Sequence, residues 1–252
     1  MSLAGKRIVN TRATHQAAEL DMLLLDHGAI PLDYPCIAIV PPEDTTDLDH
    51  ALLARAFDLL ILTSVNTVIS LAERLAALHL SLTGMSTAAV GETTAQTACD
   101  LLGVAIRLLP DEFSADGLAH ALTITPGLRV CLPQSEIARP DLAETLRSRG
   151  ADVTTITAYR TVCGSGGVDL PALLRNRQVD AITLTSSSTA RFLVERLQDA
   201  GVSNCDGMIF ASIGAQTTRT ARDCGLTVAV EAQPHTLNGL VAGLAAYFQD
   251  HP

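Results

Sequence analysis

Tryptophan is absent from the 252-residue chain, and aromatic residues make up only 3% of it. Base-stacking platforms, which need several aromatic faces, are not expected in such a chain. Positive charge is also scarce: 17 Lys and Arg stand against 27 Asp and Glu, for a formal net charge of −10. A general nucleic-acid binder draws its affinity from many basic contacts to phosphates, so that class is excluded. Lys6 is the single lysine. A Walker-type P-loop needs a lysine behind its glycines, and a Schiff-base enzyme needs one in its pocket. Lys6 opens the first strand candidate, where it serves neither chemistry. No stretch fits G-x-G-x-x-G between a strand and a helix, so a dinucleotide site is not expected. The six cysteines, Cys36, Cys99, Cys131, Cys163, Cys205 and Cys224, are scattered without a C-x-x-C pair. Structural zinc and dithiol redox motifs are unsupported, and the expected state is buried free thiols in a reducing compartment. The seven histidines share no metal-ligand spacing, and neither a carboxylate pair nor a G-x-S-x-G elbow stands out. Residues 1–11 lack the long apolar stretch of a signal peptide, and no run approaches the roughly 18 apolar residues of a membrane span. These readings place the chain in the cytoplasm, with no metal, no cofactor, no nucleic acid and no membrane among its partners.

Apolar residues, by contrast, make up 48%, enough for a full core. Short apolar runs at 7–10, 58–62, 87–90, 129–132, 180–184 and 209–212 each lead through a polar junction into a helix-period segment. Those segments span 13–27, 65–77, 92–102, 140–149, 189–200 and 215–224. Five of them stop at a glycine: Gly28, Gly103, Gly150, Gly201 and Gly225. Glycine takes the left-handed cap conformation without a Cβ penalty. Alternating strand and helix predicts an α/β fold with parallel sheets and helices on both faces.

The chain also repeats itself. Arg7-Ile-Val-Asn-Thr-Arg12 matches Arg129-Val-Cys-Leu-Pro-Gln134, and the stretch opening at Asp58 matches the one opening at Asp180, both 122 residues on. Gly91 matches Gly214 at an offset of 123. Two similar domains follow, and the repeat alone would cut them near residue 122. Two extended, β-branched segments, 34–40 and 152–162, break the pattern and read as linker strands.

Each repeat carries the same polar strand-to-helix junctions. Thr63, Ser64 and Asn66 mirror Thr185, Ser186, Ser187 and Ser188, while Gly91 and Thr94 mirror Gly214, Gln216 and Thr217. Hydroxyls there cap the helix, and its free N–H groups, at the positive end of the dipole, attract carboxylates or phosphates. Capping alone explains any single junction; their repetition favours shared ligand binding. Tyr159 stands apart, a tyrosine in a polar linker with Arg160 beside it. Spacing alone reads it as an aromatic packing between domains.

Taken in order, these pieces resemble the uroporphyrinogen-III synthase family over about residues 7–248. The resemblance is carried by Val-Asn-Thr11-Arg12, Ile-Leu-Thr63-Ser64-x-Asn66 and Ala-Val-Gly91-x-x-Thr94-Ala. It continues through Arg139 before Leu-Ala-Glu-Thr-Leu, Thr-Ala-Tyr159-Arg-Thr, Leu-Thr-Ser186-Ser187-Ser188, Ile-Gly214-x-Gln216-Thr217 and Pro234-x-Thr236-x-x-Gly239-Leu. The family fold implies interleaving: residues 1–34 with 164–252 form one domain, 41–151 the other, and 35–40 with 152–163 a two-stranded linker beside an interdomain cleft. The family closes hydroxymethylbilane, a linear tetrapyrrole with eight carboxylates, to uroporphyrinogen III, losing water and inverting ring D, without metal or cofactor. The resemblance implies Tyr159 as the catalytic acid facing the cleft. It implies substrate binding by Thr11, Arg12, Thr63, Ser64, Asn66, Gly91, Thr94, Arg139, Ser186, Ser187, Ser188, Gly214, Gln216 and Thr217. It further implies a monomer that takes substrate from hydroxymethylbilane synthase. The chain departs from the family at 132–136, where a glycine-rich Arg-Gly stretch is usual, so carboxylate contact by that loop is not expected. The other class in view is a non-catalytic two-domain ligand-binding or sensor protein; a receptor of that kind carries a signal peptide, and a degenerate sensor lacks Tyr159 and the threonine junctions.

Overall fold

The computed structural model describes residues 3–202, 205 and 207–251. In chain order the elements begin β1 (Arg7–Asn10), α1 (Thr14–Asp26), β2 (Ile30–Asp33), β3 (Ile37–Val40), α2 (Thr46–Ala54), β4 (Leu59–Leu62) and α3 (Val65–Leu78). They continue with β5 (Thr87–Ala89), α4 (Glu92–Leu102), β6 (Ile106–Leu108), α5 (Ala115–Ala121), β7 (Arg129–Ser135), α6 (Asp141–Ser148) and β8 (Asp152–Cys163). The last are α7 (Leu170–Arg175), β9 (Ala181–Leu184), α8 (Ser187–Asp199), β10 (Ile209–Ser212), α9 (Ala215–Asp223), β11 (Val228–Glu231) and α10 (Leu237–Asp250). The chain divides into two compact units, Met1–Ala38 with Val162–Pro252, and Ile39–Thr161.

The first unit holds a five-stranded sheet in the order β11-β10-β9-β1-β2. Its strand pairs are parallel. Counted along the chain, that order is 2-1-3-4-5, a doubly wound sheet whose switch point lies between β1 and β9. Leu20, Leu24, Leu240 and Leu244 from α1 and α10 fill one face. Leu170, Leu193, Leu197 and Ala221 from α7, α8 and α9 fill the other. The glycines that follow β8 fold back onto this unit. A side chain on Gly167, which has φ +85°, would meet the Asp33 carbonyl oxygen at 2.3 Å. Only glycine fits there, and the close approach lets Val168 N–H donate to that same carbonyl at 2.8 Å.

The second unit holds a six-stranded sheet in the order β3-β8-β7-β4-β5-β6. Its equivalent switch point lies between β4 and β7. Leu60 and Leu62 point to the face covered by Leu48, Leu52, Val68, Leu71 and Leu75 of α2 and α3. Leu59 and Ile61 point to the face covered by Leu118, Leu142 and Leu146 of α5 and α6. The repeat is visible in the strand starts. Arg7 N–H donates to the Asp180 carboxylate at 2.7 Å, and Asp180 N–H donates to the Arg7 carbonyl at 2.8 Å. In the second unit Arg129 N–H donates to the Asp58 carboxylate at 3.0 Å, and Asp58 N–H donates to the Arg129 carbonyl at 2.8 Å.

Several readings of the sequence change. Strand β2 follows the Gly28 stop, in a stretch where the sequence announced no element, and the extended segment from Tyr34 becomes a strand only at Ile37. The short strands β6 and β11 and the helices α2, α5, α7 and α10 lie in stretches without a strong pattern. Among the described residues no two cysteines form a disulfide, but of the six only Cys36 and Cys131 are buried; Cys99 is exposed and the others lie between. Cys131 sits among Leu60, Leu62 and Ile156. Burial there disfavours the thiolate and pushes its pKa up to about 12.

Candidate active site

Both sheets end in junctions where a strand hands over to a helix, and the candidate residues sit at those ends. In the second unit Ser64 is extended (φ −155°, ψ 156°) and caps α3. Its Oγ accepts the Thr67 N–H at 3.1 Å and lies 3.0 Å from Thr67 Oγ1. Tyr159 Oη stands 3.3 Å from the same oxygen. Tyr159 comes from β8, is 8% exposed, and reaches Ser64 because of an irregularity in its strand. Gln134 pairs with Thr157, yet the next residue, Ser135, pairs with Tyr159. The extra residue, Ala158, is a bulge. Thr157 and Tyr159 would otherwise share a face; the bulge turns Tyr159 to the face of α3, where Ser64 waits.

Thr63 and Asn66 flank Ser64, at the end of β4 and in the first turn of α3. Gly91 caps α4 with no side chain, and Thr94 is buried in the first turn behind it. Glu92 in that turn offers its own carboxylate to the helix dipole. Arg139 lies in the loop before α6; its side chain is 81% exposed and stands 3.7 Å from Asp141.

In the first unit Thr11 is buried, and its hydroxyl donates to the Thr183 carbonyl at 2.6 Å. Thr183 Oγ1 returns a bond to the Val9 carbonyl at 2.8 Å, so both hydroxyls fasten β1 to β9. Arg12 is 14% exposed at its side chain and pairs with Glu19 at 3.1 Å. Ser186 caps α8 in a reciprocal box with Thr189. Ser187 follows it, and its Oγ accepts from Thr220 Oγ1 at 2.9 Å; Ser188 lies in the same turn. Gly214 opens α9 without a side-chain cap, followed by Gln216 and the buried Thr217.

The structure thus brings Ser64 and Tyr159 together, and Ser187 to Thr220. Arg139 and Arg12 stand with carboxylates of their own. Other polar groups at these edges had no sequence signal. Asn10 Nδ2 donates to the Ala17 carbonyl at 3.0 Å and to Asp21 Oδ1 at 2.8 Å. Burial and the nearby Asp21 carboxylate raise the pKa of Asp33, the register partner of Asn10. Thr218 Oγ1 donates to Glu231 Oε2 at 2.5 Å, and the ring of His235 packs against Gly214, where a Cβ would meet it at 3.1 Å. Among the described residues, no group of three or more His, Cys, Asp or Glu is placed to hold a metal ion, and no helix is long and apolar enough to cross a membrane.

Comparison with known proteins adds to this geometry. The sequence model of the family described as Uroporphyrinogen-III synthase HemD matches residues 18–242. A uroporphyrinogen-III synthase of Synechococcus elongatus is 35% identical over 96% of this chain and 95% of its own. The fold is similar to that of a mutant uroporphyrinogen III synthase from the extremely thermophilic bacterium Thermus thermophilus, with a TM-score of 0.65 and 20% identity over 98% of this chain and 100% of that one. The synthetase of Helicobacter pylori gives a TM-score of 0.63 at 16% identity, over 97% of this chain and 99% of that one. The chain belongs to the uroporphyrinogen-III synthase family.

Proposed function

We propose that this chain, as a uroporphyrinogen-III synthase of porphyrin biosynthesis, closes hydroxymethylbilane to uroporphyrinogen III with Tyr159 as the acid. The observation that carries the reading is the contact between Tyr159 Oη and Ser64 Oγ at 3.3 Å. A serine hydroxyl has one hydrogen and two lone pairs. One lone pair is taken by the Thr67 N–H. When the Ser64 hydrogen turns to Tyr159, the phenol hydrogen is free for a ligand. Tyr159 then protonates the departing hydroxyl, which leaves as water, and Ser64 stabilises the phenolate that remains. The cation left on the substrate closes at the substituted carbon of ring D, and the spiro intermediate fragments and recloses with that ring inverted. The proton lost as the macrocycle regains its pyrroles returns to the phenolate, so the residue is regenerated.

The substrate carries eight carboxylates, and the chain is acidic. Overall charge acts on long-range approach, whereas binding rests on local donors. Helices α4 and α9 begin at glycines with no side-chain cap, so their first N–H groups remain open to a carboxylate. Gly91 also lets a ligand approach the backbone closely. In this reading Thr63, Asn66, Thr94, Ser188, Gln216 and Thr217 add polar contacts at those ends. The protein works as a cytoplasmic monomer and receives its unstable substrate from hydroxymethylbilane synthase.

The test is a coupled assay in which hydroxymethylbilane is generated in place and the products are separated by HPLC. The type III isomer is expected in the presence of the protein, and the type I isomer in its absence. Type I alone in both samples would refute the proposal.

A further inference from the structure

Gly91 and Gly214, the glycines that open α4 and α9, each have an aromatic ring beside them. At Gly91 a Cβ would meet Phe113 Cβ at 3.8 Å and the ring carbon Cγ at 3.9 Å. At Gly214 it would meet the nearest atom of the His235 ring at 3.1 Å. The two rings are related by the repeat. Phe113-Ser114-x-x-Gly117-Leu118 recurs as His235-Thr236-x-x-Gly239-Leu240, 122 residues on. Each unit builds the same turn around its ring residue. Ser114 N–H donates to the Glu112 carbonyl at 2.7 Å, and Thr236 N–H donates to the Pro234 carbonyl at 2.8 Å. Both are three-residue turns with the ring residue at the apex. Ser114 Oγ accepts the Gly117 N–H at 2.9 Å to cap α5, and Thr236 Oγ1 accepts the Gly239 N–H at 3.1 Å to cap α10. Behind each cap only glycine fits: a Cβ would meet the Glu112 carbonyl oxygen at 2.2 Å, or that of Pro234 at 2.0 Å.

A residue just before a cap commonly folds onto the fourth helical residue as an apolar staple. Here those fourth residues, Leu118 and Leu240, go into the cores of their units, while Phe113 and His235 stay exposed. Among the described residues neither ring stacks on another ring. We propose that Phe113 and His235 are substrate-contact residues, each laying its ring against one pyrrole ring of hydroxymethylbilane. This inference rests on the reading that the substrate binds at the Gly91 and Gly214 ends. Pyrroles are flat, with apolar faces and, in this substrate, carboxylates on the rim. A pyrrole stacked beside each glycine keeps its face from water, while a rim carboxylate takes the N–H groups that no side chain caps. Apolar walls with a few placed polar groups are the usual lining of a small-molecule site. The contact serves bound substrate and transition state alike, so it acts on affinity rather than on the chemical step.

Leucine keeps apolar bulk and removes the ring. Phe113→Leu and His235→Leu should each raise KM by about two- to tenfold, the effect of one aromatic contact, with kcat within about twofold. The thermal midpoint should hold, because both side chains are exposed. Phe113→Tyr and His235→Phe restore a ring and should recover most of the lost affinity. At His235 this recovery separates a ring contact from a charge or a donated hydrogen bond. Wild-type KM in either leucine variant, no recovery in His235→Phe, or a KM rise accompanied by a lower thermal midpoint would each overturn the assignment. The chain has no tryptophan, so Phe113→Trp places a single reporter at this turn. Its fluorescence should change saturably on titration with uroporphyrinogen III. An unchanged signal at product concentrations that inhibit the enzyme would also overturn the assignment. A wild-type protein that yields only the type I isomer would instead bring down the underlying reading, and this one with it.

Discussion

Tyr159 and Ser64 share one hydrogen bond, and their separate losses should look different. Tyr159→Phe keeps the buried ring and removes the donor. A positioned acid contributes about 10²–10⁴-fold, and a phenol, with an ordinary pKa of about 10, is a weak one. A fall in kcat at or below the low end of that range is expected, with folding retained. Ser64→Ala removes the α3 cap as well as the partner of Tyr159. It should lower stability by about 0.5–2 kcal/mol, read by denaturant unfolding, in addition to slowing the reaction. The candidate residues on their strand-to-helix junctions were legible because hydroxyls and glycines recur there at a fixed offset. The Ser64 contact was not legible, since it joins residues 95 apart in the chain. Thr11 illustrates the opposite limit: its hydroxyl is used in fastening β1 to β9, which no local pattern announces.

Elements announced themselves where glycine ended them. Gly28, Gly103, Gly150, Gly201 and Gly225 all take positive φ. Helices α2 and α3 end instead at Arg55 and His79 in the same left-handed region, so a search for glycine stops passes over α2. Strands β2, β6 and β11 are at most half-buried at most positions, too mixed for an apolar run. The bulge at Ala158 depends on the neighbouring strand and cannot be read from β8 alone. Gly167→Ala tests the turn after β8. Its positive φ and the 2.3 Å approach to the Asp33 carbonyl predict a loss of more than about 1 kcal/mol in equilibrium unfolding. The strand starts give a pH test. Hydrogen bonds from Arg129 hold the Asp58 carboxyl down at about 2. A depressed pKa contributes stability that is complete above the unfolded value of about 3.9 and fades as pH falls through the folded one. The stability advantage of the wild type over Asp58→Asn should therefore hold near pH 5 and shrink between about pH 4 and pH 2. An advantage that stays constant across that window would contradict this origin.

The molecule as a whole is a duplicated α/β unit. Its duplication was readable because the same strand-start residues, Arg7 with Asp180 and Arg129 with Asp58, recur in both halves and make the same main-chain clamp. The interleaved path came from the family resemblance, since a repeat by itself suggests a cut in the middle. The family resemblance implies chemistry without a metal, so activity is expected to be unchanged by EDTA; loss on chelation with recovery on added zinc or magnesium would count against the proposed chemistry. In the proposed chemistry this chain directs ring closure through Tyr159. Its most direct test is the initial rate of type III product, with the accompanying share of type I, for wild type and Tyr159→Phe under one supply of hydroxymethylbilane. The acid role of Tyr159 predicts almost pure type III from the wild type, and from Tyr159→Phe a slower type III rate with type I rising from spontaneous closure. A Tyr159→Phe protein that makes type III at the wild-type rate, with the same thermal midpoint, would contradict it.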